Sequence, residues 1–327
     1  PRLRTVEGPD DALPVQLTSF VGRSREMTEV ADLVRTNRHV TLSGAGGAGK
    51  TRLAVRVAEH MVADFPDGLR MAELGAVRDR EVLVDEIAQR FAVTALGGEE
   101  LLATLAETIG AQRVLLVLDN CEQIVEAVAA FCRDILGRCP QLHVLATSRQ
   151  RLGVEGEVVY RVPSLALPDD DIGPDQAMAY DAVRLFVDRA RLADPHFEVT
   201  ARNVTDIVSI CRHLDGIPLA LELAAARLRS MSPAQVVQRL DRRFKLLTGA
   251  DRTANPRPET WPSTIAGTHE RLDDAERRLF RRLGVFASDL ALEAAERTCA
   301  DPDLDEVDVL DLLAALVDNS MVATEQG

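Results

Sequence analysis

Four short apolar runs stand out in the first half of the chain: Val40 to Leu42, Leu69 to Leu74, Val114 to Leu118, and His143 to Ala146. Each is too short for a helix and is bounded by breakers or charge, so each predicts a buried strand. Between them, residues 50–63, 80–110 and 122–137 repeat apolar side chains at helical spacing. Strands alternating with helices predict βαβ units, hence an α/β core with a parallel sheet and helices on both faces.

The pattern changes after Pro163. Residues 166–175, with Asp169, Asp170, Asp171 and Asp175 set among Pro168, Gly173 and Pro174, read as an acidic linker. Helical spacing then takes over. Val183, Phe186, Val187 and Ala190 share one face, Pro218 to Leu228 forms another helix, and Ser232 followed by Pro233 opens a third. Residues 250–263, with Pro256, Pro258 and Pro262, suit a second linker. Beyond it Leu272, Ala275, Leu279 and Leu283 line one helix face, Asp273 and Glu276 form a capping pair, and residues 305–318 make the last helix.

Composition narrows the class. A chain of 327 residues with 46% hydrophobic residues has room for about two domains and real cores. Lys+Arg of 38 against Asp+Glu of 52 leaves a net charge of −14, which argues against a mainly electrostatic grip on nucleic acid or an anionic membrane. The five cysteines are odd in number and lack C-x-x-C or zinc spacing, so they read as small apolar core residues. Cys211 and His213 read as helix packing. No run reaches the ~18 apolar residues of a membrane span, and no signal pattern opens the chain. The expectation is a cytoplasmic protein. A chain that starts at Pro1 and stops in the strand-like Met321, Val322, Ala323 reads as a piece of something longer.

Only two basic residues are lysine, Lys50 and Lys245. Lys50 closes the run Gly44, Ala45, Gly46, Gly47, Ala48, Gly49, Lys50, Thr51, a full G-x-x-x-x-G-K-[ST] match between predicted strand and helix. Glycines let successive backbone N–H groups turn inward around phosphate oxygens, and the following helix adds its positive end. Lys50 would reach the β and γ phosphates and the Thr51 hydroxyl would hold Mg²⁺. In an arginine-rich chain, lysine stands where a compact ammonium fits a phosphate and a branched guanidinium does not. With Arg52, these residues form the candidate nucleotide set; the plain alternative is a glycine turn without ligand.

The run Val114 to Leu118 ends in Asp119, suited to hold Mg²⁺ through its water shell or, alternatively, to cap the next helix. Asn120 follows where a vigorous ATPase keeps an acid; Glu122 is the nearest substitute base, or else caps its helix. The fourth strand ends Thr147, Ser148, Arg149. In a sheet whose strands all point at the phosphate loop, Arg149 would report the γ-phosphate, the alternative being a surface ion pair.

Two more segments, Phe20, Val21, Gly22, Arg23 before the first strand and Gly216, Ile217, Pro218 in the helical region, complete an ordered set of motifs. Together these resemble the NB-ARC class of STAND nucleotide switches, nearest to bacterial AfsR-like and large LuxR-like regulators. Residues 1–17, polar and Pro/Gly-containing, read as a lead-in; the resemblance implies a P-loop domain over 18–165, a helical domain over 176–249 and a winged-helix domain over 264–327. The run Leu316 to Val322 is similar to that family's LVDxSLV segment. The resemblance also implies that Val21 and Arg23 contact adenine and that Pro218 lies against the base. It further implies an ADP-locked form that converts to a self-associating ATP form, with slow hydrolysis. Output and sensor domains would belong to the same longer polypeptide, with no membrane partner and with DNA bound only outside this stretch. The competing readings are a turnover ATPase of the AAA type and direct DNA binding through Arg277, Arg278, Arg281 and Arg282.

Overall fold

Leu115 and Val117 lie in one buried cluster while Leu116 and Leu118 lie in another. That alternation is the two-residue period of a strand covered on both faces, and it explains why the sequence there is an unbroken apolar run. The computed structural model describes residues 13–94, 98–169, 172–240, 272–286, 292–299, 306–318 and 321–322. Expectations for residues 1–12, for Asp170 and Asp171, and for the linker over 250–263 lie outside them.

The chain divides into two compact units, the first comprising Pro1–Ser43 and Gly49–Pro163. Its elements are α1 (Ser24–Thr36), β1 (His39–Ser43), α2 (Lys50–His60), β2 (Leu69–Glu73), α3 (Arg80–Arg90) and α4 (Gly98–Ile109). They continue with β3 (Leu115–Asp119), α5 (Val125–Arg138), β4 (His143–Thr147) and β5 (Val158–Arg161). The five strands form a parallel sheet in the order β2-β3-β4-β1-β5. Helices α1 and α2 cover one face, and α3, α4 and α5 cover the other. Parallel strands share one C-terminal edge, so Ser43, Asp119 and Thr147 all end there.

Two sequence expectations need correction in this region and one at the end of the chain. Residues 80–110 are two helices rather than one, because Ala92 takes φ 53 and the amides of Ala92 and Val93 return to the carbonyls of Gln89 and Ala88. That is a Schellman ending built without glycine. The fifth strand is an addition: β5 alternates half-buried and exposed residues at the sheet edge, and its apolar run is only Val158, Val159 and Tyr160. Met321 and Val322 are not strand but a bend, whose amides both return to the Leu316 carbonyl.

The second unit comprises Gly44–Ala48 and Ser164–Gly327. Its helices are α6 (Pro174–Ala177), α7 (Asp181–Ala193), α8 (Val204–His213), α9 (Pro218–Ala226), α10 (Pro233–Leu240), α11 (Asp274–Leu283), α12 (Leu292–Cys299) and α13 (Glu306–Asp318). Buried Arg189 on α7 donates to Glu222 of α9 at 2.9 Å. Leu272, Leu279, Ala295, Cys299, Val309 and Leu316 form a separate buried cluster among α11, α12 and α13. Asp273 accepts from the Glu276 amide and Glu276 from the Asp273 amide, each at 2.8 Å, so α11 begins with the anticipated capping box. Among the described residues no helix is long and apolar enough to cross a membrane. All five cysteines are free and buried.

The turn from α8 to α9 is tightly determined. Asp215 (φ 50) and Gly216 (φ 63) are both left-handed, and their amides return to the carbonyls of Arg212 and Cys211, a second Schellman ending. The Gly216 carbonyl accepts from the Leu165 amide at 3.0 Å, and Pro218 then starts α9 at its first helical position. A β-carbon on Gly216 would lie 2.3 Å from the Leu165 carbonyl oxygen. Gly216→Ala should therefore destabilise the protein by about 2 kcal/mol or more, from the left-handed backbone plus the overlap. Urea unfolding checks this, and a variant as stable as the parent would contradict the turn geometry.

Candidate nucleotide-binding site

The strand β1 ends at Ser43 and the glycine-rich run follows at once. Gly44, Gly47 and Gly49 take φ 144, 79 and 86, and Gly49 is the N-cap of α2. A reversal this sharp, between a strand and a helix that begins at Lys50, needs backbone that side-chain-bearing residues avoid. Ala48 is buried and its amide donates to the Ala45 carbonyl at 3.2 Å. Within the second unit, the Gly47 carbonyl accepts from the Leu219 amide at 3.2 Å, next to Pro218. A β-carbon on Gly47 would stand 2.8 Å from that of Leu219, so only glycine fits.

In the first unit, α2 brings Thr51 to the end of β3. The Thr51 hydroxyl donates to Asp119 Oδ1 at 2.6 Å, and the Thr147 hydroxyl donates to the same oxygen at 2.6 Å. Thr147 also accepts from the Asn120 amide at 3.0 Å, and the Asn120 side chain donates to Asp119 Oδ2 at 3.2 Å. Asp119 is 3% exposed. Burial pushes its carboxyl above the ordinary aspartate range, while the hydroxyls of Thr147 and Thr51 pull it back. Asp119 does not cap the next helix. The short 3-10 turn Cys121–Gln123 comes first, capped by Asn120, whose left-handed backbone (φ 62) supplies no side-chain bond.

Arg149, just past β4, donates from Nε to Glu122 Oε1 at 3.1 Å, with side-chain exposures of 18% and 10%. The pair is partly buried rather than superficial. Arg23 is buried, left-handed (φ 61), and donates from Nη2 to the Pro163 carbonyl at 2.9 Å. It follows Gly22 (φ 71) and half-buried Val21, so the turn into α1 is fixed by two left-handed residues in succession. Arg52 donates to Gln16 Oε1, to the Thr18 carbonyl and hydroxyl, and to the Ser19 carbonyl, tying α2 to the segment that precedes Phe20. Arg277 pairs with Asp274 and Arg282 donates to the Cys299 carbonyl, so part of the basic run on α11 serves local structure. Among the described residues no group of three or more His, Cys, Asp or Glu side chains could hold a metal ion.

Sequence pattern marks Thr147 only as part of a strand end and assigns Glu122 no partner. The signal for Thr147 was its register: Leu118 pairs with Ala146, so Asp119 and Thr147 come one step later on neighbouring strands. Reading it requires knowing that β3 and β4 are adjacent.

No protein-family model matches the chain. It is 41% identical over 293 residues to the putative HTH-type transcriptional regulator Rv0890c of Mycobacterium tuberculosis, covering 90% of this chain and 32% of that protein. It is 38% identical over 310 residues to the uncharacterized protein Rv0894 of the same organism, covering 94% of this chain and 76% of that protein. Regulatory protein AfsR of Streptomyces griseus is 30% identical over 333 residues, covering 95% of this chain and 31% of AfsR. The chain thus spans about a third of the length of the named regulators it matches. Among solved structures, the Walker-type ATPase paby2304 of Pyrococcus abyssi shares the fold, with a TM-score of 0.56 at 15% identity over 94% of this chain and 91% of that one.

The two hydroxyls on Asp119 yield a test. Thr147→Val keeps the shape, removes one donor to a buried carboxylate and leaves the Asn120 amide unpaired, which should cost about 1.5–3 kcal/mol in urea unfolding. Thr147→Ser should retain most of that stability. Equal stability of the valine variant would show that the hydroxyl does not hold Asp119.

Proposed function

The chain belongs to the family of the mycobacterial protein Rv0894, and from that premise we propose that it is an ADP/ATP-binding regulatory switch module of the NB-ARC/STAND type. It would serve a longer bacterial transcriptional regulator. The observation that carries this reading is the Thr51–Asp119 contact of 2.6 Å at the start of the helix that follows the glycine-rich loop. A hydroxyl and a carboxylate so placed are the donor set expected for Mg²⁺ beside a nucleoside triphosphate. Thr51 and Asp119 would hold that ion, which when bound neutralises charge on the phosphates. Lys50 would face the β and γ phosphates, and the amides of Gly44, Gly46, Gly47, Ala48 and Gly49 would receive phosphate oxygens.

The remaining site residues divide the work. Val21 and Arg23 would stand at the base, with Pro218 contributed by the helical domain over 176–249. Arg149 would distinguish ATP from ADP by its guanidinium, which the γ-phosphate would draw from Glu122. Differential contact of this kind is what a switch requires. Ligand at ~100 times its dissociation constant stabilises the form that binds it by about 2.7 kcal/mol, and a full reversal of populations needs roughly 10⁴-fold preference. The ADP form would be closed and the ATP form self-associating.

Turnover should be slow. Asn120 stands where an acid would activate water, and Glu122 is engaged by Arg149. Helices α11, α12 and α13 would belong to a winged-helix domain over 264–327, with DNA reading left to other parts of the longer polypeptide.

Protein purified without added nucleotide and then denatured should release ADP, identified by chromatography. Lys50→Ala should release none, and unchanged retention in that variant would refute the loop assignment. Sustained phosphate release at several turnovers per second would sink the switch in favour of a turnover ATPase. Glu122→Gln should raise the preference for ATP over ADP about fivefold, equivalent to about 1 kcal/mol, by weakening the competitor for Arg149. A ratio unchanged in nucleotide competition titrations would remove Arg149 from the sensing role.

A further inference from the structure

Residues 13–23, which lead into α1, lie in no regular helix or strand. Their backbone carbonyls have no ladder to enter and must meet side chains or water instead. Apolar burial does little to hold them. Leu13 and Phe20 pack against the cluster under α1 and α2, but Val15 is 84% exposed and Leu17 95%. One side chain of α2 supplies the donors. Arg52 gives Nε to Gln16 Oε1 at 3.0 Å, and Nη2 to the Thr18 carbonyl at 3.0 Å, the Thr18 hydroxyl at 3.1 Å and the Ser19 carbonyl at 2.8 Å. One turn further along the same helix, the Arg56 guanidinium lies 5.6 Å over the Phe20 ring. The far end of the segment is fixed by left-handed Gly22 and Arg23 and by the bond from Arg23 to the Pro163 carbonyl. Phe20 and Val21 are thus a short strap between an anchor on Arg52 and an anchor at Arg23.

Arg52 follows Lys50 and Thr51 directly, so a contact of its own to phosphate is the first alternative to weigh. The first turn of α2 carries no acidic residue, and a cation at the positive end of a helix is disfavoured unless other acceptors hold it. Arg52 has such acceptors, and they lie in residues 16–19 rather than in the glycine-rich loop. A planar guanidinium whose fork is engaged in this way keeps one orientation, as a lysine ammonium would not.

We infer that Arg52 is a positioning residue for the base of an adenine nucleotide. It holds residues 16–21 against α2 and through them sets where Val21 stands, leaving the phosphates to Lys50 and the loop amides. The inference rests on the proposed nucleotide site, with the base at Val21 and Arg23. It adds that base selectivity depends on a side chain of the phosphate-binding helix that touches neither base nor phosphate.

The test titrates the nucleotide-free whole chain with ADP, ATP and GDP in the presence of Mg²⁺, comparing the parent with Arg52→Met, which keeps an unbranched stem and removes the fork. The variant should bind ADP and ATP about tenfold more weakly with their ratio held within about twofold, and its preference for ADP over GDP should fall about fivefold. Amide hydrogen exchange should quicken at Ser19, Phe20 and Val21 but not along α2, a pattern that general loosening of the helix would not give. Arg52→Lys, which can satisfy fewer of the acceptors, should fall between the two and decides the matter if the methionine variant does not fold. An unchanged preference for ADP over GDP overturns the inference. So does a change of about tenfold in the ratio of ATP to ADP affinity, which would place Arg52 on the γ-phosphate. A parent that binds ADP beside a variant that behaves like it fails this inference alone; a parent that binds no nucleotide removes the proposed site and the inference together.

Discussion

A carboxylate that is almost wholly removed from water, Asp119, sets the arrangement of everything at the C-terminal edge of the sheet. Ionised and alone in that position it would be untenable, and the chain would either protonate it or deform. Two hydroxyls prevent this, one from the first turn of α2 and one from the end of β4. Because β4 lies between β1 and β3, the carboxylate is two strands away from the strand that feeds the glycine-rich loop. Thr147 spans the gap, and Thr51 reaches it from the helix. The beginning of α2 is thus positioned by side-chain chemistry as well as by apolar packing, and any ligand that replaced the Thr51 bond would meet a preformed acceptor.

The buried strands were legible because a sheet covered on both faces demands unbroken apolar runs, and β3 supplies the clearest. The phosphate loop was legible for a different reason: its glycines, lysine and threonine are required by backbone geometry and charge at fixed spacing. What escaped notice had no such local signature. The edge strand β5 is only four residues long and nowhere fully buried, and Tyr160 there packs against the core under α1 and α2 while its hydroxyl donates to Glu29. The break between α3 and α4 falls on Ala92, where glycine would have announced the left-handed turn. Thr147 and the partner of Glu122 were hidden because both depend on strand order, which periodicity does not encode. The capping box at Asp273 and the proline at the start of α9 were readable, since each is specified within four residues.

The two ends of β1 are polar for different reasons. At its C-terminal end the chain leaves the sheet as glycine-rich backbone, with Ser43 the last residue in register. At its N-terminal end a histidine is buried with no hydrogen-bond partner for either ring nitrogen. A strand inside a parallel sheet is an unfavourable location for such a residue, and the cost of desolvating it falls on folding. Natural sequences tolerate local conflicts of this kind mainly where function offsets them.

The cysteines carry a consequence of another kind. Cys132 and Cys211 are held to pKa values of about 12 by burial, and Cys121 is raised well above its ordinary value. A thiol so placed has almost no thiolate at neutral pH and no access to oxidant while its helix or strand remains folded. All five are shielded. The thiols of the folded chain are therefore shielded from the redox poise around it, and their oxidation would have to follow unfolding rather than cause it.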